Sequence, residues 1–342
     1  MRRRSFFAIL VLSVTAFLLA GCSGEKTLKY TEYEYKDAGN FKTGNATLAG
    51  EIEALNVDWM SGEVRIEYGD DQQIKLSETA NMELDDSLKV HYQMVGRTLV
   101  VKFCASGEGE RLINLNKKLT IFLPADCEMN RIDVNTKNAD VYMGDILCGY
   151  ESVVTGNGCV ETEAEKTQRL IVYTSGGSID ADLENTEIVQ LNTVSGSIDA
   201  IVDNVLDVSA VTASGPITLK QKGRTEKLRV ESAEGKLDIK VNEVVSPSFN
   251  SSSGNIKIKF KKLPAQADVR STSGKISIQM PKDAQFTATI KSASGDFGCD
   301  FDDVTRNGKT YTRGDGSFDL NLSTTSGNIK IKPIEDKEEA GE

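Results

Sequence analysis

Histidine is nearly absent from this chain, since His91 is the single one among 342 residues. A Ser-His-Asp triad or a metal site with several histidines would have to be built around that one residue. Serine is common, but it lies in small polar clusters and not in the G-x-S-x-G motif of α/β-hydrolases. The sequence offers no catalytic residue, and we predict a protein without enzymatic activity.

Cysteine and proline are also scarce. After Cys22 there are five cysteines, and none forms a C-x-x-C pair: Cys104, Cys127, Cys148, Cys159 and Cys299. This spacing predicts neither a full disulfide framework nor a zinc site, so we expect small buried fillers and no metal or cofactor. There are only six prolines, and no segment shows a sustained 3.6-residue apolar period. We therefore expect a fold almost without helices.

The N-terminus carries a targeting segment. Three arginines at 2–4 precede an apolar run at 6–20, which is short for a hydrocarbon core about 30 Å thick. The run ends in Leu19-Ala20-Gly21-Cys22, which is similar to a bacterial lipobox. We predict a lipoprotein signal peptide over 1–21 and lipid attachment at Cys22; the alternative is an ordinary signal peptide with an incidental cysteine. No later run is apolar for long enough to cross a membrane.

The charge balance is acidic. The chain has 40 Lys+Arg against 51 Asp+Glu, and removal of 1–21 leaves 37 against 51, a formal charge of −14. Nucleic acid is therefore not expected as a partner, because binding to phosphates requires a basic surface. The predicted location is extracytoplasmic, on a cell membrane or outer membrane, with the membrane reached through the N-terminal lipid.

A short motif recurs along most of the chain. The segments "SSSGNIKIKF" at 251–260, "STSGKISIQM" at 271–280 and "TTSGNIKIKP" at 324–333 are nearly identical. Most copies align on a glycine and follow one another at 19–21 residues, with one last step of 32. Such a period is typical of stacked-repeat architectures. The aligned positions are Ala139, Gly158, Gly177, Gly196, Gly215, Gly235, Gly254, Gly274, Gly295 and Gly327.

Each copy predicts two short strands separated by a turn at the glycine. Residues two and four positions after the glycine are mostly apolar, as are those five and seven before it, so each strand has one buried face. We expect the glycine to relieve backbone strain in the turn, although Ala139 shows that a positive φ is not always required. Each of these ten copies has a hydroxyl three residues before the aligned position, for example Thr193 and Ser232. These hydroxyls are predicted to point inward and to bond one another or the turn amides.

These patterns predict an all-β fold, specifically a parallel β-solenoid of about ten rungs of 19–21 residues. The predicted organisation is a signal peptide at 1–21, a lipidated cysteine and flexible tether at 22–45, and an irregular β cap at 46–130. The repeats follow at 131–333 with an insertion at 300–317, and an acidic disordered tail occupies 334–342. The first copy, around Gly62, has Trp59 in place of the hydroxyl.

The rungs, the preceding "LTIFLP" at 119–124 and the lipobox together resemble the bacterial putative-adhesin family, a domain of unknown function made of β-strand repeats. The resemblance covers about residues 46–333. It implies an extracytoplasmic β-solenoid-like domain on membrane-anchored proteins, with adhesion as the suggested role. It implies no catalytic residues.

The outward positions of the repeat are charged. Three and five residues after the glycine, early copies carry acidic residues such as Glu161 and Asp180, and later copies carry lysines. A column of lysines favours an anionic polymer such as teichoic acid, an acidic glycan or lipid headgroups. A solvated face that prevents edge aggregation is the alternative. The candidate lysines are Lys220, Lys240, Lys257, Lys259, Lys330 and Lys332.

The insertion at 300–317 contains a second candidate site. It is rich in oxygen ligands that suit Ca²⁺, although their spacing matches no calcium loop, so a solvated hairpin is the alternative. The candidate ligands are Asp300, Asp302, Asp303 and Asp315. The same segment spells Arg313-Gly314-Asp315, a tripeptide read by some animal cell receptors, for which three matching residues are weak support.

The sequence thus predicts a membrane-anchored, non-enzymatic lipoprotein whose solenoid presents a binding or scaffolding surface to an envelope polymer or glycan. A protein-binding accessory of envelope stress signalling is the alternative. A carbohydrate-active β-helix that uses the acidic insertion is a third possibility.

Overall fold

The computed structural model describes residues 32–125 and 127–335. Strands β1 to β9 are Lys42–Thr43, Ala46–Leu48, Ala54–Tyr68, Ile74–Ala80, His91–Val95, Thr98–Lys102, Lys117–Leu123, Met129–Met143 and Cys148–Thr155. Strands β10 to β18 are Val160–Glu165, Arg169–Thr174, Ile179–Glu184, Ile188–Thr193, Ile198–Asp203, Asp207–Thr212, Ile217–Ser232, Leu237–Ser251 and Ile256–Phe260. Strands β19 to β26 are Gln266–Ser271, Ile276–Met280, Phe286–Ser292, Phe297–Cys299, Val304–Asn307, Thr310–Arg313, Phe318–Thr324 and Ile329–Pro333.

The predicted all-β class is confirmed. The described residues contain no α-helix, only the short 3₁₀ segments Ala38–Asn40 and Glu110–Leu112, and their strands join one long mixed sheet. The predicted signal peptide 1–21, Cys22 and residues 336–342 of the predicted tail lie outside the described residues.

Successive copies of the motif lie side by side with corresponding residues opposite each other. After the glycines, Ile179 of β12 faces Ile198 of β14, and Ile198 faces Ile217 of β16. Before the glycines, Val189 of β13 faces Val208 of β15. These pairs are parallel, and each offset equals the repeat period. The inward side chains of both strand rows are buried and form a continuous apolar core.

At most turns the hydroxyl three residues before the glycine is bonded within the turn, but the buried Ser251 Oγ has no hydrogen-bond partner among the described residues. Thr193 Oγ1 accepts a hydrogen bond from the Gly196 N–H at 3.0 Å and donates to the Gly177 carbonyl at 3.1 Å. Thr174 and Thr212 are bonded in the same way. Of the two bonding schemes left open by the sequence, these hydroxyls follow the one through the turn amides. Each therefore satisfies a buried N–H and ties its rung to the previous one.

The turn glycines allow neighbouring rungs to pack closely. The expectation that they relieve backbone strain in the turn is wrong for most of them. Of the glycines aligned at the turns, only Gly62, at the copy that precedes Ala139, has a positive φ, of 98°. At Gly158, Gly177 and Gly196 an added Cβ would lie less than 3.0 Å from the carbonyl oxygen of the residue aligned with it in the previous rung. Stacking distance, rather than turn conformation, selects glycine here.

The last three copies do not stack in chain order. Ile276 of β20 lies opposite Ile329 of β26, which on its other side faces Phe297 of β22. The final copy is thus inserted between its two predecessors. The chain reaches this position through the antiparallel hairpin β23–β24, whose β24 pairs with β21 at the outer edge. The sequential order implied by the repeat alone is therefore wrong at this end.

The first copy also skips part of the chain. Leu55 and Gly62 of β3 lie opposite Ile132 and Ala139 of β8, although β4 to β7 intervene in sequence. On its other side, β3 pairs in parallel with β6 and β7. In turn, β6 pairs in antiparallel fashion with β5, and β7 pairs in the same way with β4. Antiparallel strands thus occupy the end of the sheet where 46–130 is predicted to form a cap.

Two predicted boundaries need correction. Tyr33 is buried, its N–H donates to the Glu108 carbonyl at 2.7 Å, and its ring contacts Phe103, so the predicted tether 22–45 extends too far along the chain. Aromatic side chains cover the core there. At the other end, Ile334 is buried and its N–H donates to the Met280 carbonyl at 2.9 Å. The tail prediction at 334–342 therefore begins too early.

One carboxyl group lies inside the apolar core. Glu151 of β9 is 0 % exposed and stands opposite Ile132 on β8 and Leu170 on β11. Its Oε1 accepts a hydrogen bond from Thr167 Oγ1 at 3.1 Å. Burial raises the pKa of Glu151 from 4.5 to about 8. The carboxyl is therefore mostly protonated in the folded protein at neutral pH.

Glu151 should make the protein less stable as pH rises. Its folded pKa is above its unfolded value, so its stabilising contribution is present below pH 4.5 and is lost as pH rises through about 8. The variant Glu151→Leu has the same residue at this position as the next rung, which has Leu170. As pH rises from about 5.5 to 7, we expect its free energy of unfolding to fall less than that of wild type. The expected difference is about 2 kcal/mol over that interval. Denaturant titrations of both proteins at each pH measure it, and parallel pH profiles would show that Glu151 is not responsible.

Candidate functional site

The charged outer face of the strands that follow the turn glycines forms the candidate site. Side chains alternate along each strand, so the residues between the buried isoleucines face outward. Strand pairing aligns them into two columns. One column contains Glu161, Asp180, Asp199, Thr218, Asp238 and Lys257. The other contains Glu163, Asp182, Ile201, Lys220, Lys240 and Lys259.

A groove of about 470 Å³ crosses this face where the acidic and basic stretches meet. We call it the charged groove. It extends from β12 to β18, and four strand spacings correspond to about 19 Å. Its acidic end carries Asp180, Asp182 and Asp199, and its basic end carries Lys220, Lys240 and Lys257. Asp238 also lies at the basic end, where it is paired with Lys236 at 3.0 Å.

The backbone holds like charges close together in this groove. Lys220 lies opposite Lys240 on neighbouring strands, and Asp180 lies opposite Asp199. At a strand spacing of about 4.8 Å, two like charges repel by on the order of 1 kcal/mol even in water. A ligand group of the opposite sign would relieve that repulsion at each end.

The structure brings together three of the six predicted lysines. Lys259 was expected to face water but is only 5 % exposed, because it lies between Lys240 and Gln279 on the flanking strands. Gln279 also separates it from Lys332. Lys330 pairs with Asp300 at 2.8 Å, and Lys332 lies 3.5 Å from Glu335. The expected continuous lysine column is therefore interrupted.

The acidic insertion forms the hairpin β23–β24 and its flanks. Asp302 and Asp303 precede β23, Asp315 follows β24, and Asp300 is engaged with Lys330. Among the described residues, no three histidine, cysteine, aspartate or glutamate side chains are placed to hold a metal ion. The predicted cation site thus lacks metal-binding geometry, because its carboxylates are spread along the hairpin.

Arg313 of the Arg-Gly-Asp tripeptide has a structural environment. Its Nε donates to the Asp302 carbonyl at 3.1 Å, and another guanidinium nitrogen donates to the Ala284 carbonyl. The guanidinium also lies over the Phe301 ring, 5.2 Å from its centroid. These contacts hold the arginine against the end of the core.

His91 and the two buried cysteines Cys104 and Cys148 have structural surroundings, whereas Cys159 does not. His91 is buried, with Nδ1 2.9 Å from the Lys89 carbonyl oxygen. Cys104 and Cys148 are buried fillers as predicted, and burial raises the pKa of each thiol to about 12. Cys159 is exposed, which the filler interpretation did not anticipate. Its position is one residue after the turn, where side chains face outward.

Comparison with known proteins now adds to this geometry. The family model Toastrack DUF4097 matches residues 52–332. The chain belongs to the Toastrack family. The predicted resemblance to this group of β-repeat proteins is therefore confirmed. No curated protein matches the Toastrack chain.

Several solved structures are similar to this Toastrack protein at low sequence identity. A putative adhesin from Parabacteroides distasonis is 11 % identical, with 86 % of this chain and 98 % of that chain covered and a TM-score of 0.41. A putative adhesin from Parabacteroides merdae is 12 % identical over 89 % and 100 %, with a TM-score of 0.37. A putative lipid binding protein from Parabacteroides distasonis is 12 % identical over 87 % and 98 %, with a TM-score of 0.39.

In the part of the chain that the structure describes, no helix has the length and apolar character required to span a membrane.

Proposed function

We propose that this Toastrack protein is a non-enzymatic extracytoplasmic lipoprotein that binds an envelope polymer in the charged groove. Lipid on Cys22, after removal of 1–21, holds it at a membrane. Its repeats form a rigid parallel β-solenoid of about ten rungs, which the register of the strand pairs supports. The N-terminal basic and apolar segments and the Leu19-Ala20-Gly21-Cys22 motif support the anchor.

The ligand is anionic where it meets the basic end of the groove. Lys220 and Lys240 lie in one column on β16 and β17, and Lys257 lies in the neighbouring column on β18, so three ammonium groups gather at this end of the groove, where a polyanion can contact them. The carboxylates at the acidic end repel a polymer that is anionic along its whole length and so weaken its binding. The acidic end instead favours a polymer that also carries positively charged substituents. The observation that carries this proposal is that strand pairing places acidic and basic side chains in the same groove.

Neutralising the basic end should weaken binding of an anionic polymer. We expect Lys220→Gln, Lys240→Gln and Lys257→Gln in one variant to raise the Kd for polyglycerol-phosphate by about tenfold or more. Binding by wild type should weaken as salt is raised, because exposed charges are screened within about 10 Å at 0.1 M ionic strength. Isothermal calorimetry at two salt concentrations measures both effects.

A matched control uses lysines outside the groove. Lys261→Gln, Lys262→Gln and Lys275→Gln remove the same charge from positions that do not line the groove and should leave the Kd within about twofold. Polymer esterified with amino acids, which carries phosphate and ammonium groups, should bind wild type more tightly than the plain polymer. Equal losses in both triple variants would mean that net charge, not the groove, is responsible, and no binding by wild type would refute the proposed ligand.

A further inference from the structure

A second groove, of about 640 Å³, lies along the outer side of the strands that precede the turn glycines. We call it the polar groove. Its floor is a row of outward side chains aligned strand to strand, and its edge is formed by small residues at the turns, including Val194, Ala213 and Ser252. The floor residues are Tyr173, Asn192, Val211, Glu231, Asn250 and Arg270.

The polar groove is long and straight. Its floor crosses six consecutive strands, from β11 to β19, and each floor residue is paired with the next through the backbone register. Five strand spacings correspond to about 24 Å. The spacing of one strand is close to the length of one sugar ring in an extended chain. An extended polymer would therefore place successive units over successive rungs.

The floor carries little net charge. Glu231 is its only carboxylate, and that group already accepts hydrogen bonds from Arg229 at 2.9 Å and from Asn250 at 2.8 Å. Arg270 at the far end supplies the one guanidinium. The polar groove thus lacks the basic surface that a polyanion requires. It offers mainly amides, hydroxyls and short apolar patches.

Two side chains at the near end are available for a ligand. Tyr173 and Asn192 lie opposite each other on β11 and β13, half-buried on the outer face. Among the described residues, neither side chain has a hydrogen-bond partner. A tyrosine ring offers a flat apolar face with a polar tip, and an asparagine amide offers both donors and an acceptor. Sugar rings present the complementary combination of C–H faces and hydroxyl groups.

We propose that the polar groove binds an extended, uncharged glycan, with Tyr173 stacking against one sugar and Asn192 hydrogen-bonding the next. This site shares no residue with the charged groove. It lies on the residues that precede the turn glycines, and the long strands β16 and β17 contribute opposite ends to the two grooves. The glycan site is therefore independent of the proposed polyanion site.

The test uses the folded chain lacking residues 1–21, with chitohexaose, cellohexaose and mannohexaose as probes in calorimetry. We expect one of these probes to bind, and the pair Tyr173→Ala with Asn192→Ala to raise its Kd by about tenfold. The matched control is Ile171→Ala with Gln190→Ala, which changes the same two strands on the same outer face two residues earlier. That control should stay within about twofold of wild type, and raised salt should leave the affinity unchanged.

The results separate the two proposals. Absence of binding by all three probes would overturn the glycan site without affecting the polyanion prediction. Unchanged affinity in the Tyr173→Ala and Asn192→Ala variant would also overturn it. Binding that is lost in the Lys220→Gln, Lys240→Gln and Lys257→Gln variant would assign the glycan to the charged groove and refute the polar groove.

Discussion

Replacement of Gly196 by alanine should destabilise the protein by about 4 kcal/mol or more. The added methyl carbon would lie less than 3.0 Å from the carbonyl oxygen of Gly177 in the previous rung. That oxygen belongs to the backbone and accepts a hydrogen bond from Thr193 Oγ1 at 3.1 Å, so it cannot move without breaking this bond between the two rungs. The rungs would have to separate locally, and the buried neighbours on both sides would lose their packing.

Guanidinium chloride unfolding of wild type and Gly196→Ala measures this effect. The matched control is Gly298→Ala on β22, where nothing lies within 4 Å of the added methyl and φ is not positive. We expect the control to change the free energy of unfolding by less than about 1 kcal/mol, with either sign. A Gly196→Ala variant as stable as the control would mean that the rungs are not as closely stacked as the structure has them.

The second large effect concerns the buried ion pair at the N-terminal end of the core. The Lys117 and Glu78 side chains are 0 % and 3 % exposed, and Lys117 Nζ lies 2.6 Å from Glu78 Oε1. Lys117 also donates to the Leu88 carbonyl at 2.7 Å and lies 4.2 Å from the Phe103 ring centroid. Burial lowers the pKa of Lys117, and the Glu78 charge opposes that shift. The cation is thus held charged mainly by Glu78 and the surrounding carbonyls.

Lys117→Met should destabilise the protein by about 3–5 kcal/mol, because it leaves the Glu78 carboxylate buried without its counter-ion. The double variant Lys117→Met with Glu78→Gln should recover a large part of that loss, since no buried charge remains. The Glu78→Gln single variant completes the double-mutant cycle. Denaturant unfolding of all four proteins gives the coupling free energy.

The adjacent lysine provides the control for this cycle. Lys118 pairs with Glu63 at 3.0 Å, but both side chains are substantially exposed, at 49 % and 34 %. Lys118→Met should change the free energy of unfolding by less than about 1 kcal/mol. Equal effects of the two substitutions, or an additive cycle at Lys117 and Glu78, would contradict the buried pair.

The sequence contained enough information to find Lys117 but not to identify its partner. Leu119, Ile121 and Leu123 set the inward parity of β7, which places Lys117 on the buried face. A lysine at an inward position requires a counter-charge, yet Glu78 is far away in the chain and becomes its neighbour through the antiparallel β4–β7 pair. The same limit applied to the polar groove, because Tyr173, Asn192 and Arg270 share a column only by position and have no common chemistry.

The local repeat by itself determined which strand positions face inward, where the turns fall and which residues of neighbouring copies correspond. Strand parity and a constant period are local properties, so the buried aliphatics, the turn hydroxyls and most of the charged outer columns could be assigned in advance, but the burial of Lys259 could not. Only the tertiary structure decided the order of the last copies, the partners of β3 and the depth of each groove. A strand accepts any neighbour of matching pattern, so the choice between Phe297 and Ile329 beside Ile276 depends on how the β23–β24 hairpin packs against the end of the core.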